Sequence, residues 1–120
     1  MLMALFLAAI GSATLEPGRL SGPDLRDYFA GTSVYGRFTG TGQAWAERTT
    51  RDGRVYDLLR GGRHSGAWAV QDDALCFIYF GPAAKVQCYA VALEGGNPVY
   101  RDARTGEPVA KGDRIVRGRR

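Results

Sequence analysis

The groups from which chemistry would have to come are few. His64 is the only histidine, so a histidine-built metal site is excluded, and a zinc site would have to use Cys76 and Cys88. Ser65 adjoins His64, but neighbours along a strand project to opposite faces and cannot act as nucleophile and base. Glu47 and Asp57 fall in successive strand-like runs. Paired acids can do glycosidase-type work, yet acids on alternating strands are expected to face outward as solubilising groups. Gly40-Thr41-Gly42 begins like a phosphate-binding loop, but Trp45 stands where the third glycine belongs and no βαβ unit surrounds it. The expectation is a non-enzymatic protein with no cofactor and no metal.

The cysteines have a structural use instead. They lie in two strand-like runs, Ala74–Phe80 and Val86–Leu93, separated by Gly81-Pro82-Ala83-Ala84-Lys85. Folding these antiparallel with Phe80 facing Ala84 brings Ile78 opposite Val86 and Cys76 opposite Cys88. Opposed residues of an antiparallel pair sit about 4.5–5.5 Å apart at Cα, within disulfide reach. A bridge closing so short a loop is worth about 3 kcal/mol on the chain-entropy account. It also implies an oxidising compartment.

The elements that must position these residues follow from period and punctuation. Ser21-Gly22-Pro23-Asp24 reads as a helix start, with Ser at the cap, Pro in the first turn and an acid three residues on. Leu20 and Leu25 are spaced as a staple around it. Leu25, Tyr28 and Phe29 share one face, and Gly31 can close the end. A helix of barely two turns does not persist alone in water, so Tyr28 and Phe29 are expected to plug or cap something larger.

From Gly31 onward, short runs rich in Val, Tyr, Trp and Phe alternate with turn signals. Strands are predicted near Ser33–Phe38, Gln43–Thr50, Arg54–Arg60, Arg63–Val70, Ala74–Phe80, Val86–Leu93, Pro98–Ala103 and Pro108–Val116. Gly61-Gly62 suits a two-residue turn. The fold class is all-β: an antiparallel meander of about eight strands closing as a small, lipocalin-like barrel, with a half-open sheet as the alternative. The domain spans residues 20–116, after a linker at 14–19 and before a frayed basic tail at 117–120.

At the other end, Met1 to Ala13 carries no charged side chain, and Leu2 to Ile10 is almost continuously apolar. About ten apolar residues are too few for a bilayer, which needs about 20. The run fits a secretory signal cleaved after Ala13, giving a periplasmic or secreted protein without a transmembrane segment.

Two groups of residues are candidates for binding. Trp45, Trp68 and Tyr28 belong to an aromatic set that is expected to fill the core of so small a barrel. The alternative is an aromatic-lined mouth taking one small apolar or aromatic ligand, with Tyr28 or Phe29 as a lid. Arginines supply 14 of the 16 basic residues, many near turns; Arg60, Arg63 and the neighbouring His64 could meet an acidic protein or envelope component. Nucleic acid is not expected, since the net charge is only +4 and no basic cluster exceeds the tail.

Several motifs recur together: Leu20-Ser21-Gly22 with Leu25, Gly31 to Gly36, Asp52-Gly53-Arg54, Gly66-Ala67-Trp68-Ala69-Val70, Leu75-Cys76-Phe77-Ile78-Tyr79 and Cys88-Tyr89. In this the stretch from Leu20 to Val91 resembles a group of small exported bacterial proteins of unassigned function. Some of these carry a dihydrodipicolinate-reductase label, which the missing dinucleotide fingerprint contradicts here. The Gly-x-Trp strand, hairpin arms and Cys pair are also similar to barrel-type lysozyme inhibitors of the periplasm. The resemblance implies an exported protein; its motifs are structural and carry over no active-site residue. The residues themselves lead to the expectation of a non-enzymatic barrel that binds a protein or envelope component through its Arg-bearing loops, with a small-ligand carrier or an inhibitor of a hydrolase such as lysozyme as the alternatives.

Overall fold

The computed structural model describes residues 16–60 and 64–118. The apolar segment read as a secretory signal, the Gly61-Gly62 turn, Arg63 and the end of the tail lie outside them, as does the side chain of Arg60. One helix, α1 (Gly22–Phe29), precedes strands β1 (Thr32–Phe38), β2 (Ala44–Thr49), β3 (Arg54–Asp57) and β4 (Ser65–Gln71). Strands β5 (Ala74–Tyr79), β6 (Gln87–Glu94), β7 (Asn97–Asp102) and β8 (Pro108–Arg117) complete the chain. Each strand pairs antiparallel with the next, and β8 returns to β1, so the sheet closes as a barrel. Closure leaves no lateral edge open to another chain.

The expected register of the cysteines holds: Cys76 faces Cys88, and a disulfide joins them. The ladder around them is shorter than predicted. Phe80 N–H bonds to Ser65 on β4, and Ala84 N–H turns back to Gly81, so 80–86 is a loop and Val86 has no ladder partner. Above Tyr89, the segment before the helix becomes the second partner of β6. Leu20 N–H donates to Val91, and Leu93 N–H donates to Gly18, each at 2.8 Å.

Two other boundaries differ from the sequence reading. The run predicted as Arg54–Arg60 ends at Asp57 and continues as a 3₁₀ turn, Leu58–Arg60. The Asp57 carboxylate accepts from Leu59 N–H at 3.1 Å, an Asx turn that competes with the extended ladder. The last strand includes Arg117, which the tail had been expected to contain. Its guanidinium donates to Tyr28 O at 2.6 Å and Thr32 Oγ1 at 3.0 Å, which holds it in place.

Helix α1 closes one end of the barrel. Ser21 caps it by accepting from Asp24 N–H, and Leu20 and Leu25 are both buried, as the staple requires. Asp73, in the β4–β5 turn, accepts from Gly22 N–H at 2.7 Å. At the other terminus Thr49 Oγ1 donates to Phe29 O, and Thr32 Oγ1 donates to Tyr28 O at 2.7 Å. Side chains from β1, β2 and β8 thus satisfy carbonyls that a helix end leaves open. Leu25 and Phe29 join Val34, Val55, Leu75 and Val91 in the core.

Among the described residues, no helix is long and apolar enough to cross a membrane.

Candidate binding cavity

The end opposite α1 is built differently. There β1, β5 and β7 finish and β2, β6 and β8 begin, and no helix covers them. A cavity of about 350 Å³ opens at this mouth. Alternation along the strands supplies its walls: Trp45 and Glu47 from β2, Phe77 and Tyr79 from β5, Gln87 and Tyr89 from β6, with Tyr100 from β7. Phe38, Val109 and Ala110 complete the apolar surface, and Lys85 stands exposed on the β5–β6 loop at the rim.

The rings do not collapse into this space because they brace one another. Tyr100 meets Trp45 edge-on at 5.4 Å between centroids and Tyr89 at 6.1 Å. Phe29 lies beyond Tyr100 at 6.2 Å, and Phe38 flanks Trp45 at 6.3 Å. The β1 wall needs Gly36 here. A Cβ at that position would lie 2.1 Å from Lys111 O and 2.6 Å from the Trp45 ring, so the register shift after Tyr35 and the seat of Trp45 both depend on its absence.

Glu47 corrects the expectation that the strand acids face outward. It stands in register between Val34 and Asp57, on the inner face, and Tyr79 Oη donates to its Oε2 at 2.7 Å. Burial is the main cause that pushes its carboxyl up to about 7; the Tyr79 hydrogen bond opposes this and the charge of Asp57 adds to it. Burial also raises the phenols of Tyr79, Tyr89 and Tyr100, so all three stay protonated at neutral pH. Two more polar groups of the wall, Trp45 Nε1–H and Tyr100 Oη, are buried with no hydrogen-bond partner among the described residues.

A raised carboxyl pKa has a stability consequence of definite sign. The folded protein takes up a proton at Glu47 as pH falls below about 7, whereas the unfolded chain waits until about 4.3. The stability tied to this proton is complete below the unfolded value and is lost as pH rises through about 7. Glu47→Gln should therefore melt higher than the parent at pH 8, by about 1–2 kcal/mol once water at the open mouth is allowed for, and no higher near pH 4.5. Parallel melts across that range check this; a constant difference would mean that Glu47 does not titrate in the fold.

The other residues singled out in the sequence lie elsewhere. Trp68 belongs to the core, its Nε1 donating to Thr50 O at 2.8 Å. Tyr28 lies at the helix end of the barrel, with its hydroxyl on Gly96 O and Arg117 over its ring. Neither Tyr28 nor Phe29 is a lid: α1 is the floor, and the mouth is at the far end. His64 is exposed beside the start of β4. Among the described residues of that group Trp45 alone lines the cavity, which it shares with Glu47, Tyr79, Tyr89 and Tyr100.

Comparison with family models, with curated proteins and with solved structures returns no match. What the cavity does must be argued from its walls.

Proposed function

We propose that this barrel binds one small, largely apolar or aromatic molecule in its open mouth, and that it does so outside the cytosol. The observation that carries this reading is the cavity itself: about 350 Å³, walled by six aromatic rings, of which all but Tyr79 brace one another around unfilled space. That volume falls within the range of small-ligand sites. A barrel evolved only for stability would fill such a space, since each void forfeits packing energy. The disulfide and the apolar leading segment support export, as does the resemblance to small exported proteins.

A protein or envelope partner held at the same end is the second reading. Leu59, Phe80 and Val86 are all exposed around the mouth, which is more apolar surface than a turn region needs.

An uncharged naphthylamine dye tests the first reading. Its fluorescence should rise saturably with the native protein, with one dye per barrel. Val109→Trp, which fills the cavity from β8, should abolish that rise while the thermal transition persists. No saturable rise with the native protein would remove the ligand reading.

A further inference from the structure

We propose that the ligand is a small organic cation, its ammonium head against the Glu47 carboxylate and its carbon skeleton against the surrounding rings. This deepens the ligand-binding reading and rests on it.

The composition of the inner wall favours a cation. Among the described residues Glu47 is the single acid lining the cavity, and Trp45, Phe77, Tyr79, Tyr89 and Tyr100 line it beside that acid. Aromatic faces carry negative quadrupole density, so rings grouped around an anion make a site for a cation with weakly hydrated, carbon-covered charge. A ligand that brought only apolar surface would leave the carboxylate charge buried against it with the Tyr79 hydrogen bond but no opposite charge. An anionic ligand would be repelled by it.

The groups facing Glu47 agree in sign. From β3, Asp57 adds negative potential across the ladder. From β5, Tyr79 donates its proton to Oε2 and so orients the carboxylate. From β6 and β7, Tyr89 and Tyr100 contribute neutral phenols. The residue facing Glu47 from β1 is Val34, and β8 lends Val109 and Ala110. Among the described residues that line the cavity, Lys85 is the opposing charge, and it is an exposed rim group whose field water and salt screen. Below about pH 7 a cation arriving at Glu47 would displace the proton that burial holds there, so in that range cation uptake is coupled to proton release.

Choline and its uncharged tert-butyl isostere separate charge from shape. Titrated calorimetrically into the full chain at pH 8, choline should bind at least about tenfold tighter than the isostere. That preference should shrink as pH falls to 6, and there choline binding should release protons to the buffer. Glu47→Gln should remove the preference while still binding the isostere and the naphthylamine dye. Equal binding of the two probes, a preference that survives Glu47→Gln, or tighter binding of benzoate than of choline would overturn the cation assignment. If the dye binds the native protein and neither probe does, the assignment falls and the ligand reading stands; if the dye fails as well, both fall.

Discussion

Phe29→Ala should cost about 3–5 kcal/mol, more than any exposed substitution in the chain. Phe29 is 1% exposed and is the deepest aromatic side chain of a helix only eight residues long. Nothing intrinsic keeps so short a helix folded. Its apolar face, Leu25 and Phe29, is what the barrel end receives, and the hydrogen bonds from Thr49, Thr32 and Arg117 depend on that seat. Removing the ring leaves a void between α1 and Tyr100, which Phe29 approaches at 6.2 Å. Because small domains hold only about 5–15 kcal/mol in total, urea melts should show a transition shifted far below that of the parent. Leu59→Ala, at a side chain 56% exposed, should shift it by no more than about 0.5 kcal/mol. A loss below about 1 kcal/mol for Phe29→Ala would mean that the barrel closes without its floor.

Much of this arrangement was legible in the residues. The capping Ser21, the Leu20–Leu25 staple and the Tyr28-Phe29 step carry their own local instructions, because capping and staple chemistry act over a few residues. The Cys76–Cys88 register could be found by counting outward from a Gly-Pro turn. It survived an error in the turn itself: the loop is longer than supposed, yet both arms lost the same number of paired residues. The 3₁₀ turn at Leu58–Arg60 was hidden because two leucines after a Val-Tyr pair look like continued strand, whereas the deciding contact is the Asp57 carboxylate on Leu59 N–H.

The cavity was missed for a different reason. Trp45, Glu47 and Thr49 share one face of β2 by the period of two. Placing Trp45 inside and Glu47 outside was inconsistent with that period, and residue-type expectation prevailed over geometry. A buried-looking Glu two places from an inward Trp is the signal that could have found the site. What no pattern along one chain reveals is whether rings from five strands meet or brace apart. That depends on the shear of the closed sheet and on close approaches such as Gly36 under Trp45.

Removing the bridge, by Cys76→Ser with Cys88→Ser, should cost about 3 kcal/mol and should open the barrel at one seam. The β5–β6 ladder has three register pairs, against six in each of the ladders β4–β5 and β6–β7, so the bridge lies on the wall's shortest seam of that region. Its sulfurs are on the outer face, while the flanking residues Leu75, Phe77, Gln87 and Tyr89 point inward. Phe77 and Tyr89 are 6.0 Å apart between centroids and belong to the cavity wall. Unclipped, that seam is as short as the three-pair ladders β2–β3, β3–β4 and β7–β8, and parting it separates these two rings. Amide exchange should therefore accelerate first at Leu75 to Tyr79 and Gln87 to Tyr89, ahead of β1 and β8, which share seven register pairs. Dye affinity should fall with it, because the cavity loses its fixed width before the protein loses its fold. If the double variant melts with the parent, or if protection declines evenly around the barrel, the bridge is not what holds the mouth in shape. If it behaves as argued, a reducing compartment would weaken stability and binding together, and the protein would work best where its thiols stay oxidised.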